Sequence, residues 1–257
     1  MGHRALQFSA IHNFRDYGGY RAGDGNGRLR RGLLYRSAQH ADATPEDLNK
    51  VVALGLVSVI DLRGPSERAS SPCRRAPGFA ARIFLLEEET GSLMPRQAGT
   101  VTLAGSRDIA KLMLDGYAAM PFRRRMKNVI AHYFNGLVAS DGPTLVHCMA
   151  GKDRTGFAVG LLHSALGVHQ DDVLSDYMLS NEGVDGRIAA TAPLVRATYG
   201  KSLSDEEVLI LMTVRSEYLE ASMRAVRERH GTVSAYLETE IGVPRARLET
   251  LAERLMV

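Results

Sequence analysis

Residues 144–162 read TLVHCMAGKDRTGFAVGLL, and the parsing of this stretch decides the fold. Its first four residues form a short apolar run of strand type. The apolar residues 157–162 open a helix that runs to about Gly167. Between them lies HCMAGKDRTG (147–156), which holds Cys148, one of only two cysteines in the chain, and Arg154 six positions later. A thiol attacks as thiolate, a form favoured at a helix N-terminus or beside fixed positive charge. If the helix starts near Arg154 or Thr155, then Met149, Ala150, Gly151, Lys152 and Asp153 curl their backbone N–H groups around one point above the sulfur. The small or flexible Ala150 and Gly151 permit that curl. Such a nest accepts a tetrahedral dianion, and the planar fork of Arg154 can grip two of its oxygens, which lysine cannot imitate.

Outward from this stretch, apolar runs at 33–35, 57–62 and 82–86 join 144–147 as short strands, predicted to be buried on both faces of a mostly parallel sheet. Between the first two, TPEDLNKVVALG predicts a helix with Thr44 as N-cap, Pro45 at its first position and Gly55 as its stop. Residues 123–139 place Met126, Val129, Ile130, Tyr133, Phe134 and Leu137 at helical spacing ahead of the last strand. After Gly167 the pattern is helical, with a capping box from Ser204 to Glu207 and Gly or Pro punctuation between segments. The expected architecture is α/β: a short, mostly parallel central sheet flanked by helices, with a helical C-terminal layer over 204–257. No composition break or repeat divides residues 1–257, so one domain is expected. Residues 88–104 and 183–203 carry the weakest pattern. Both suit loops or lid pieces.

HCMAGKDRTG does not stand alone. NFRDYGG (13–19), GLLYRSAQ (32–39), VIDLRGPSER (59–68), DYMLSN (176–181) and VRSEYLEASMRAVRERHGTVSAYL (214–237) accompany it in order. Together these stretches resemble the protein tyrosine phosphatase superfamily, and within it the bacterial tyrosine and lipid phosphatases related to the secreted mycobacterial enzyme. The resemblance implies a protein-tyrosine-phosphatase-like fold and metal-free hydrolysis of phosphate monoesters through a phosphocysteine. It makes Cys148 the nucleophile and Arg154 the phosphoryl clamp, with Thr155 hydrogen-bonded to the sulfur and His147 holding the loop and favouring the thiolate. The leaving oxygen needs an acid. Asp153 is the first choice and Asp61, at the end of a predicted strand, the second. Lys152 adds a second cation to the loop, which suits a substrate with more than one phosphate. The implied substrates are phosphotyrosine, then phosphoserine, phosphothreonine and phosphoinositides. The alternatives are a dedicated phosphoinositide or inositol phosphate phosphatase, a non-catalytic phosphate-binding module, and a thiol-based sulfur or arsenate enzyme. A lid is also implied, looked for at 183–203 with Gly183, Gly186 and Gly200 as hinges.

Other readings compete at several residues. Asp61 and Arg63 also read as a strand-end pair, and Arg15 with Asp16 as the fastening of an N-terminal turn that uses Gly18 and Gly19. Arg36 reads as a surface ion pair, Arg123 to Arg125 as a solvated helix face, and Cys73 as an ordinary loop thiol. GDGNG (23–27) reads as a hairpin turn rather than a calcium loop. GKD at 151–153 lacks the first glycine and the hydroxyl residue of a nucleotide P-loop, and no metal-ligand spacing occurs, so neither metal nor cofactor is expected. A net charge of +3 with dispersed arginines argues against nucleic acid. No run is long enough for a membrane span, and the N-terminal residues lack a leader's apolar core. The expected state is a monomer acting on a phosphorylated protein or phospholipid. Cytoplasm is the expected compartment, with leaderless secretion left open.

Overall fold

The computed structural model describes residues 5–23, 25, 27–90 and 106–257. Its strands are β1 (Arg15–Asp16), β2 (Arg21–Ala22), β3 (Gly27–Arg28), β4 (Leu34–Ser37), β5 (Ser58–Asp61), β6 (Arg82–Leu85) and β7 (Thr144–His147). Five of them form a sheet in the order β1-β4-β7-β5-β6, parallel except for β1. The strands β4, β5 and β7 are buried at every position because both their faces are covered. Tyr35, Val59 and Leu145 pack on one side with Leu48 and Val51, while Leu34, Ile60 and Val146 join the larger core on the other. The alternation of side chains along a strand makes this division.

The edge strands differ from expectation. β1 is too short to show a period and was not foreseen. β6 was predicted to be buried on both faces, yet Ile83 and Leu85 are 41% and 44% exposed, because among the described residues the strand pairs only with β5, at the sheet margin. The reading of 23–27 as a turn agrees with the antiparallel pairing of β2 and β3, although Asp24 and Asn26 lie outside the described residues.

The helices are α1 (Pro45–Ala53), α2 (Pro65–Ser70), α3 (Ser106–Ala119), α4 (Arg124–Val138), α5 (Asp153–Ala165), α6 (Gln170–Met178), α7 (Asp185–Tyr199), α8 (Asp205–Met212), α9 (Ser216–His230), α10 (Val233–Tyr236) and α11 (Arg245–Leu255). Local chemistry sets their ends. Thr44 caps α1 in a box with Asp47, Ser204 caps α8 in a box with Glu207, and Gly55 follows α1 at φ +60°. α4 buries all six apolar residues read at helical spacing. The 183–203 segment is not a loop: α7 fills it, with Pro193 inside, Gly186 within the helix, and Gly183 and Gly200 at positive φ outside its ends. Its alanine-rich sequence carries no one-sided apolar stripe, so periodicity could not reveal it. Of the other weakly patterned stretch, residues 91–104 lie outside the described residues.

The chain closes on itself through residues 255–257. Arg28 and Val257 exchange backbone hydrogen bonds of 2.8 and 2.9 Å, and Leu29 bridges Met256. No helix among the described residues is long and apolar enough to cross a membrane.

Candidate active site

Parallel register brings the carboxyl ends of three strands level. His147 at the end of β7 lies opposite Ser37 of β4 and Asp61 of β5, and Cys148 follows it directly. Cys148 is 3% exposed, and α5 begins at Asp153. The intervening loop is held from outside by its carbonyl groups. His147 Nδ1 meets the Cys148 carbonyl at 3.3 Å, and the Gln39 N–H donates to that of Met149 at 3.0 Å. Asn13 Nδ2 donates to the carbonyls of Ala150 and Gly151 at 3.3 and 2.8 Å, and Arg36 Nη2 to that of Gly151 at 2.8 Å. In a trans peptide the N–H points opposite to the C=O. With four successive carbonyls tied outward, the N–H groups of Met149, Ala150, Gly151 and Lys152 turn to the concave side, where none finds an acceptor among the described residues. Gly151 is required: its φ is +67°, and a Cβ there would lie 2.2 Å from the Ser37 carbonyl oxygen.

The scaffold behind the loop is a buried ion cluster. Asp176 of α6 accepts from Arg15 Nε at 3.2 Å and from Arg36 Nη1 at 2.7 Å, and all three side chains are buried. Burial would raise the Asp176 carboxyl, but Arg15 and Arg36 outweigh it and hold the group well below the usual carboxylate range. Two expectations are corrected here. Arg36 is not in a surface ion pair, because β4 is an interior strand and carries the side chain into the core. Arg15 binds α6, whereas Asp16 fastens the turn by accepting from the N–H groups of Gly18 and Gly32.

Arg154 is engaged by a residue that the sequence reading passed over. Its Nη1 and Nη2 donate to Glu67 Oε2 and Oε1, each at 2.6 Å, and Nη1 also reaches Thr90 Oγ1 at 2.6 Å. Burial would lower the guanidinium, but Glu67, Cys148 and Asp153 raise it above its ordinary value. Glu67 stands third in α2 after Gly64 and Pro65, a helix-start signal that could have drawn attention to it.

Asp153 Oδ1 accepts from Lys152 Nζ at 3.1 Å and from the hydroxyl of Tyr117. Lys152 is not free for a second phosphate in this arrangement, since its ammonium also donates to the carbonyls of Leu211 at 2.9 Å and Thr213 at 3.4 Å, at the end of α8. Thr155 Oγ1 is buried and makes no hydrogen bond among the described residues, Cys148 included, so the expected bond to the sulfur is not made. Burial, with Arg63 and Arg75 nearby, outweighs Asp61 and brings His147 down to about 4. His147 is therefore neutral at pH 7 and acts on the loop through its bond to the Cys148 carbonyl.

Asp61 sits deeper. Arg63 Nε and Nη2 donate to its two oxygens at 2.9 and 2.7 Å, which matches the reading of a strand-end pair. Cys73 is more than an ordinary loop thiol: its sulfur accepts from the His40 N–H at 3.3 Å and from Arg63 Nη2 at 3.1 Å. Donor atoms of Asp61, Cys73 and His147 lie within 4.8 Å of one another, but the Arg63 guanidinium already answers both Asp61 and Cys73. Both cysteines are free thiols.

Comparison with known proteins agrees with this geometry. A Cupriavidus necator protein named as a tyrosine-protein phosphatase is 38% identical over 96% of this chain and 88% of its own. The triple specificity protein phosphatase PtpB of Mycobacterium tuberculosis is 29% identical over 91% of this chain and 92% of its own. A crystal structure of P. aeruginosa TpbA aligns with 76% of this chain and 96% of its own at 17% identity and a TM-score of 0.32, too loose a superposition to bear on the fold. The profile of the tyrosine phosphatase family matches residues 6–257. With a buried cysteine at the head of an amide-lined loop and that match spanning nearly its whole length, the chain belongs to the tyrosine phosphatase family, as a cysteine-dependent phosphatase.

Proposed function

We propose that the protein hydrolyses phosphotyrosine through a phosphocysteine intermediate. The observation that carries this reading is the set of four loop carbonyls tied outward, which leaves their amide N–H groups converging beside Cys148. The amides bind three phosphate oxygens and stabilise the charge that builds on them in the transition state. Cys148 attacks phosphorus, the S–P bond forms and the ester P–O bond breaks as Asp153 protonates the leaving oxygen. Water then attacks phosphorus and gives its proton to Asp153. Inorganic phosphate leaves, and Cys148 returns to thiolate. Asp153 is the acid in this scheme because Asp61 is held on both oxygens by Arg63, whereas Oδ2 of Asp153 has no partner among the described residues. Glu67 and Thr90 take Arg154 Nη1 and one proton of Nη2, which leaves Nε–H and the second Nη2–H, without a partner among the described residues, for the phosphoryl oxygens.

The triple specificity named for the mycobacterial relative supports extending the substrate class to phosphoserine and phosphothreonine. Phosphoinositides rank behind these, because Lys152 would have to release Leu211 and Thr213 to reach a second phosphate. The burial of Cys148 calls for a cover that moves, and α7 with α8 is our candidate. Replacing 183–203 by a short linker should change activity, and unchanged activity would count against that lid.

The test is phosphate release from an aryl phosphate in reducing buffer with a chelator, for the wild type, Cys148→Ser and Asp153→Asn. Turnover that disappears in Cys148→Ser, with a phosphoryl group trapped on Cys148 after acid quench, supports the reading. No turnover by a folded wild type toward aryl phosphate, phosphopeptide or inositol lipid would overturn it in favour of a phosphate-binding module.

A further inference from the structure

Three buried tyrosines from three different helices surround Asp153. Tyr117 of α3 donates its hydroxyl to Asp153 Oδ1, and Tyr177 of α6 donates to Tyr117 at 2.8 Å. The Tyr117 ring stacks on Tyr218 of α9, with centroids 5.1 Å apart and 18° between planes. The Tyr117 backbone is pinned as well, since its carbonyl accepts from Ser222 Oγ at 2.7 Å. On the far side, Gly156 lets α5 approach Tyr177 so closely that a Cβ there would meet the ring at 2.7 Å. The chain of hydroxyls is fixed at both ends. Burying two phenols beside a carboxylate is costly unless each hydroxyl finds a partner, and here each does. Burial first, then the charge of Asp153, raises Tyr117 well above an ordinary phenol, so it remains a donor across the working pH range. The other charged neighbours of Asp153 are Lys152 and Arg154.

The two oxygens of Asp153 are thereby made unequal. Oδ1 receives two donors, Tyr117 and Lys152, and Oδ2 has no partner among the described residues, on a side chain that is 23% exposed. A carboxylic acid cannot place its own proton on an oxygen already facing two donors without a clash of hydrogens. We infer that Tyr117, backed by Tyr177, is the positioning residue of the general acid: it occupies Oδ1 so that Asp153 carries its proton on Oδ2 and delivers it from there. The inference rests on Asp153 being the acid. In the first step the S–P bond forms, the P–O bond breaks and the Oδ2 proton passes to the leaving oxygen. In the second, the attacking water returns a proton to Oδ2 while the S–P bond breaks. Tyr117 exchanges no proton and does not touch substrate.

The experiment compares kcat/KM for aryl phosphates whose leaving phenols span a wide range of acidity, using the full-length wild type, Tyr117→Phe, Tyr177→Phe, Asp153→Asn and the Tyr117→Phe/Asp153→Asn double variant. kcat/KM reports the first step, in which the acid acts. General acid catalysis is worth about 10²–10⁴-fold. Tyr117→Phe should therefore lose at least about tenfold with phenyl phosphate and less than about threefold with a strongly acidic phenol, steepening the dependence on leaving group. Tyr177→Phe, one bond further away, should steepen it less, and it carries the test if Tyr117→Phe fails to fold. The double variant should be no worse than Asp153→Asn. An equal loss across the series, or additive losses in the double variant, would show a merely structural tyrosine and overturn the inference. A flat series for Asp153→Asn itself would instead remove Asp153 as the acid, and the inference with it.

Discussion

Replacing Asp176 with asparagine leaves Arg15 and Arg36 buried with no counter-charge between them. Removing one partner of a buried pair costs about 3–5 kcal/mol, mostly because the remaining charge is stranded. For 257 residues an unfolding entropy of about 2.1 cal/mol/K per residue amounts to roughly 0.54 kcal/mol/K. The expected drop in Tm is therefore about 6–9 °C, read by differential scanning calorimetry at pH 7. Activity should fall too, even well below the new Tm, because Arg36 also holds the Gly151 carbonyl. The pH dependence has a definite sign. Asp176 is depressed in the folded state, so its contribution is complete above the unfolded carboxylate value and is lost as pH falls through the folded one. The gap in Tm between wild type and variant should hold from neutrality to about pH 4 and then narrow, as wild-type Asp176 also becomes protonated. A drop below about 2 °C at pH 7, or a gap that widens in acid, would refute the reasoning.

Glu67→Gln keeps the shape but loses the carboxylate fork under Arg154, and kcat/KM toward aryl phosphates should fall about 10- to 100-fold, since small misplacement of a clamping group is enough. Gly151→Ala should cost about 1–2 kcal/mol for the left-handed backbone alone and also push Ser37 aside. Phosphate-analogue binding, measured by calorimetry, should be lost while the far-ultraviolet dichroism is kept. Thr155→Val removes a buried hydroxyl that has no partner among the described residues. Its Tm should be unchanged or higher, while a rapid-quench burst of phenol ahead of slow turnover should appear if the hydroxyl assists the departing sulfur.

Much of the fold could be read from local chemistry. Thr44, Pro45 and Gly55 bound α1 because cap, first-turn and stop residues act within a few positions. The six apolar residues of α4 are legible because one face of that helix meets the core and the other does not. α7 escaped because alanine and Pro193 blur any such face. β6 reads like a buried strand from composition, yet its place in the sheet depends on which neighbours pair with it, which no window of residues contains. The site divides in the same way. Cys148, Gly151 and Arg154 lie in one contiguous stretch, and their spacing expresses the chemistry. Glu67, Asp176, Asn13 and Tyr117 serve that stretch from other elements, and their roles exist only once β4, α2, α3 and α6 have converged on it. Asn13 even adopts a positive φ of 59°, in the left-handed region that asparagine enters more readily than most residues.

The pairing of Arg28 with Val257 has a bearing on biogenesis. The outer edge of the β2–β3 hairpin is completed only by residues 255–257, more than 200 positions later in the chain. Contacts of such separation form late. The nascent chain must therefore carry a half-finished edge while more than 200 further residues are added, and protection of the Arg28 amide against exchange would report when that edge closes.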